Sequence, residues 1–95
     1  MLESRFKRKT LKRISERLSG INLDFIHPNR RSQPDVIILG PKVWAALEFK
    51  KEKNSNKQPN QVFYVSRMNE QSYARFVHPG NVEGVLDELE QLFTP

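Results

Sequence analysis

The sequence predicts an α/β domain with the element order α-β-β-β-α-β-α, and three observations carry that expectation. Apolar residues recur at helical spacing at both ends of the chain: Leu2, Phe6, Leu11, Ile14 and Leu18, then Val82, Val85, Leu86, Leu89 and Phe93. Between them, the β-branched run Val36-Ile37-Ile38-Leu39, the turn Gly40-Pro41-Lys42 and the alternating segment Val43–Lys50 read as a β-hairpin. Pro59 then suits the first turn of another helix, and Tyr73–His78 alternates as a further strand.

Taken in order, residues 2–18 form a helix with Arg5, Arg8, Lys9, Lys12 and Arg13 crowding its outer side, and Gly20 stops it. Glu3, Lys7 and Thr10 lie within its apolar side as a polar strip. Glu3 and Lys7 read either as an ordinary intrahelical pair or as a sign that something on that side needs a carboxylate. Leu23–His27 is a short strand closed by Pro28, followed by the basic loop Asn29-Arg30-Arg31-Ser32-Gln33. The polar loop Lys51–Gln58 precedes a helix from Pro59 to about Met68, although Val62-Phe63-Tyr64-Val65 is also good strand sequence. Asn81 is placed to cap the last helix, whose outer face carries acids and should lie far from any phosphate. Trp44, Tyr64 and Tyr73 read as packing residues, and His27 and His78, each beside a proline, as structural ones.

Ninety-five residues suffice for one small domain, 1–95, because a second core of ordinary size needs about 50 more. A chain of this size buries roughly 60–65% of its unfolded surface, so a partner copy would help it. There is no cysteine, hence no disulfide framework and no Cys-based zinc site, which fits a reducing compartment. No apolar run reaches the ~18–20 residues of a membrane span and no signal peptide is expected, so the expected location is cytoplasmic. Charge is unevenly placed. Residues 1–53 hold thirteen Lys/Arg and six Asp/Glu, a net of +7, whereas Val82 onward has four acids and no base. A chain basic at one end and acidic at the other suggests a polyanion on one face, with nucleic acid the leading partner; the plainer reading is a solvated surface.

The hairpin carries the chemistry. Folding it about Pro41 sets Asp35 opposite Leu47 or Glu48, depending on register, so the two carboxylates can converge. Alternation puts Val43, Ala45, Leu47 and Phe49 on one face and Trp44, Ala46, Glu48 and Lys50 on the other. Half-burying charges costs free energy unless they are paired or hold a metal. Two carboxylates with no His or Cys nearby make a hard oxygen site suited to Mg²⁺, with Mn²⁺ as substitute. A metal there activates a water against a phosphodiester, and a neighbouring ammonium positions that water and offsets growing negative charge. The competing explanation is a cross-strand Asp–Lys or Glu–Lys pair on a solvated sheet face, which is common and weak.

Pro34-Asp35, a strand and turn, then Glu48-Phe49-Lys50, with thirteen residues from Asp35 to Glu48, resemble the PD-(D/E)XK signature of restriction-endonuclease-like nucleases. Nearly the whole chain resembles that αβββαβ core, a central mixed sheet flanked by helices. Within the superfamily, the likeness is to small phage nucleases of the VRR-NUC type and of the endonuclease I type that resolves Holliday junctions. The resemblance implies a metal-dependent DNA endonuclease in which Asp35, Glu48 and the Phe49 carbonyl hold the metal and Lys50 orients or activates the water. Gln61, at the distance where VRR-NUC proteins open a helix with Gln, would support the water or a phosphate. Many members add a first-helix Glu to the metal site; Glu3 is the candidate and Glu16, on the outer basic side, its rival. Arg30, Arg31, Lys51, Lys53 and Lys57 flank the site and would track DNA phosphates. So short a chain leaves little room for a base-reading element, which favours recognition of junctions, branches or ends over sequence. A homodimer would present two sites to two strands. Two other classes stay open: a non-catalytic nucleic-acid-binding module, and an adaptor working through the acidic C-terminal helix.

Overall fold

The computed structural model describes residues 3–29 and 33–95, without the side chain of Glu3. Its elements follow the expected order: α1 (Glu3–Arg17), β1 (Asp24–Ile26), β2 (Val36–Leu39), β3 (Trp44–Phe49), α2 (Pro59–Gln71), β4 (Tyr73–Val77) and α3 (Val82–Phe93). The strands form one mixed sheet in the order β1-β2-β3-β4. β1, β2 and β3 pair antiparallel, as short connections dictate. β3 and β4 are parallel, and α2 is the crossover that parallel neighbours require. That demand settles the ambiguity of Val62–Val65 in favour of helix. Proline at the first turn starts α2, which runs three residues beyond Met68.

One face of the sheet is the core. Val36, Ile38, Ala45, Leu47, Phe49 and Val77 point to it and pack against Phe6, Ile14 and Leu18 of α1 and Val85, Leu86, Leu89 and Phe93 of α3. Phe6 meets Phe49 edge-on at 6.0 Å between ring centroids. Gly40, in the β2–β3 turn, lies so close to the end of α3 that a Cβ there would come within 2.6 Å of the Phe93 ring. α2 packs on the opposite face, over β3 and β4, and none of its residues is buried.

Two local expectations change in the folded chain. Asn81 makes no side-chain cap on α3. Its Oδ1 instead accepts the His78 backbone N–H and its Nδ2 donates to the Phe76 carbonyl, so it ties β4 to the turn before the helix. Charges segregated along the sequence are also brought together. Arg13 binds both carboxylate oxygens of Glu83 at 2.7 Å, and Arg17 binds Asp87 and Glu90. The acids of α3 thus neutralise part of α1, while Arg5, Arg8, Lys9 and Lys12 stay exposed. Among the described residues, no helix is long and apolar enough to cross a membrane.

Candidate active site

The pairing of β2 with β3 fixes what sequence left open. Val36 lies across from Leu47, so one residue further along Asp35 comes across from Glu48. Asp35 Oδ2 accepts the backbone N–H of Phe49 at 2.8 Å, which clamps the carboxylate to the end of β3. Glu48 shares the face on which α2 sits. Of the charged side chains in the described residues it alone is buried, at 6% exposure.

A buried carboxylate needs donors, and α2 supplies one. Gln61 Nε2 donates to Glu48 Oε1 at 3.1 Å, while Gln61 Oε1 accepts both Lys50 Nζ at 3.1 Å and the Gln58 backbone N–H at 3.0 Å. The last bond is the reaching-back half of a capping box, so one amide both opens the helix and joins Glu48 to Lys50. Local sequence explains the arrangement. Pro59 sets the start of α2, and three residues of helix return Gln61 to the same end of the sheet.

The surroundings are basic. Lys57 Nζ lies 5.2 Å from the centroid of the Phe76 ring and donates to the Lys53 carbonyl at 3.3 Å. Phe76 pairs with Glu48 across β3 and β4, so this ammonium stands on the site's own sheet face. Burial first, and then Lys57 and Lys53, hold His78 below the usual imidazole range. Its Nδ1 accepts the Gly80 N–H at 3.0 Å, which requires that nitrogen to be unprotonated. Nothing local marks these partners of His78, which the sequence reads as structural, because the lysines are more than twenty residues away in the chain.

Asp35, Glu48, Lys50 and Gln61 therefore converge at the C-terminal end of β3. Lys53 and Lys57 stand near His78 beside them. Lys51 turns to the other side and lines a cavity with α1. Glu16 is exposed on α1. Arg30, Arg31 and the Glu3 side chain lie outside the described residues. Of the three aromatics expected to pack, Tyr73 is buried, its hydroxyl donating to Glu88 at 3.0 Å. Burial, and then that bond to a carboxylate, push its pKa well up. Tyr64 is exposed, against Phe63.

Two carboxylates set across neighbouring strands are hard oxygen donors of the kind a divalent cation takes. Among the described residues, no third His, Cys, Asp or Glu joins them.

No known protein family profile matches the chain, and no curated protein matches it. Among solved structures the chain is similar to one described as a VRR_NUC domain, with a TM-score of 0.60 and 19% identity over 83% of this chain and 91% of that one. That likeness is one of fold: this chain has the architecture of a VRR_NUC domain, a four-stranded mixed sheet flanked by helices.

Proposed function

We propose that the chain is a Mg²⁺-dependent DNA endonuclease of the PD-(D/E)XK type, selective for junctions or branches rather than for sequence. The observation that carries this reading is the Gln61 amide, bonded at once to the buried Glu48 and to Lys50, with Asp35 fixed opposite. A cross-strand ion pair on a solvated sheet face has no need of a helix that reaches in to orient both partners, nor of burial, whose desolvation cost often exceeds what the pair returns.

Each side chain has a task in that reading. Asp35 and Glu48, with the Phe49 carbonyl, would hold the cation, and the Glu3 carboxylate is the candidate for a further ligand. When bound, the cation supplies a water of lowered pKa and neutralises charge on the phosphate. Lys50 orients the attacking water and offsets negative charge as the phosphorus–oxygen bond breaks. Gln61 holds Lys50 at a fixed distance from Glu48. Arg30, Arg31, Lys53 and Lys57 track the DNA backbone, and their contacts position without reading sequence. Mn²⁺ should substitute for Mg²⁺.

A homodimer fits the remaining apolar surface. Ile26 and Leu39 on the sheet half beyond α2, and Val62, Phe63 and Tyr64 on α2 itself, are all exposed. A second copy is the occupant that would also bring a second site to the opposite strand. The test is cleavage of four-way-junction, flap and linear DNA of matched sequence, with Mg²⁺ or Mn²⁺, alongside sedimentation of the protein. Divalent-dependent cutting that prefers the junction, by a dimer, is the expected outcome. Binding without cutting on every substrate would favour a non-catalytic nucleic-acid-binding module.

A further inference from the structure

Lys50 and Lys51 leave β3 on opposite sides. Lys50 reaches Gln61 of α2, whereas Lys51 lines a cavity of about 380 Å³ on the α1 and α3 side. Phe6, Lys9, Thr10 and Arg13 of α1 form one wall of that cavity, and Pro79 and Val82, where α3 begins, form the other. The strand end that carries the proposed active site is therefore also the rim of a separate hollow.

Three cationic side chains, Lys9, Arg13 and Lys51, line a hollow whose remaining walls are mostly apolar, with Thr10 buried among them. Glu83 grips the Arg13 guanidinium with both carboxylate oxygens, which fixes its position and offsets its charge. The net attraction for an anion thus rests with Lys9 and Lys51, both exposed and in no ion pair among the described residues. The N-cap of α3 makes no side-chain bond to the first turn, because Asn81 is turned back to His78 and Phe76. Val82, the first residue of α3, stands on the cavity wall, and Glu83 beside it places an acid in the same first turn.

We propose that this cavity seats one internal backbone phosphate of the DNA, separate from the phosphate at the Asp35–Glu48 site, with Lys9 and Lys51 as its principal contacts. The seat rests on the nucleic-acid reading given above, but not on cleavage. Because the two sites flank one strand end, a bound DNA would be held on both sides of β3, and the seat would set the distance from a fixed backbone point to the cut.

The test is fluorescence anisotropy with a short DNA duplex in EDTA, where nothing is cut. Lys9→Ala/Lys51→Ala is compared with Lys12→Ala/Lys42→Ala, which removes the same charge from exposed positions outside the cavity. Losing a held phosphate lowers the slope of log K against log salt by about 1, with binding weakened several-fold. The control pair should change the slope by less. A series of four-way junctions, whose branch point fixes the register, with one neutral methylphosphonate at successive linkages from the branch should show a position that weakens wild type and leaves the cavity variant unaffected. Equal losses from both pairs, or the same methylphosphonate profile for wild type and the cavity variant, would overturn the seat. A protein that shows the profile but never cuts DNA would instead overturn the nuclease reading and leave the seat standing.

Discussion

Gln61 donates its amide N–H to the Glu48 carboxylate at 3.1 Å. The bond spans from the first turn of α2 to a buried position in β3, and the same amide accepts Lys50 and the Gln58 N–H. Replacing Gln61 by Ala removes one donor from a buried carboxylate and leaves the Gln58 N–H without its acceptor. The expected cost is about 1–3 kcal/mol in urea unfolding. Gln61→Glu keeps the two accepted bonds but sets a second carboxylate against Glu48, so its loss of stability should shrink as pH falls and the added acid is protonated.

Asp35 offers an experiment that separates fold from chemistry. Its Oδ2 accepts the Phe49 N–H, and an asparagine carbonyl can accept the same bond. Asp35→Asn should cost only about 1 kcal/mol, the difference between a charged and a neutral acceptor. Asp35→Ala leaves that N–H unsatisfied beside a residue with no exposed surface and should cost more, about 1–3 kcal/mol. Chemical denaturation of the two variants beside wild type measures the order.

Phe49 is wholly buried, edge-on to Phe6. Phe49→Ala should cost about 3–5 kcal/mol, enough to unfold much of a domain this small. Arg17→Ala, which breaks two ion pairs at the surface, should cost no more than about 1 kcal/mol and less in high salt. Equal losses from these two variants would show that the α1–α3 seam, rather than the core, holds the fold.

His78 predicts a pH dependence of stability. Its folded pKa is lowered, by burial first and then by Lys57 and Lys53, so below the unfolded value of 6.5 the unfolded chain binds more protons. Stability should therefore be level above pH 6.5 and decline as pH falls below it, as protonation of Nδ1 takes the acceptor from the Gly80 N–H. The decline should be shallower in His78→Gln, measured by thermal unfolding between pH 5 and 8.

Much of this was legible because local signals agreed. Helical spacing at both termini, a β-branched run and a Gly-Pro turn placed α1, α3 and the β2–β3 hairpin, and the pairing of that hairpin brought Asp35 to Glu48. Boundaries shifted by a few residues where nothing local marks an end, as at Gln71. Long-range partners were not legible. Asn81 has the residue type of a helix cap, but folding turns its amide back to β4. Nothing near the acids of α3 in the chain signals that they meet arginines some seventy residues earlier. Lys51 follows Lys50 directly, and only the end of β3 shows that the two serve different faces.

The measurement that tests the central claim most directly is cleavage of DNA in Mg²⁺ by wild type, Asp35→Asn and Lys50→Ala, each first shown to be folded and to bind DNA. Cutting by wild type that EDTA stops, and that both variants lose while binding is kept, is the predicted result. Wild-type rates retained by a folded Asp35→Asn would contradict the account, because the carboxylate clamped opposite Glu48 would then hold nothing the reaction needs.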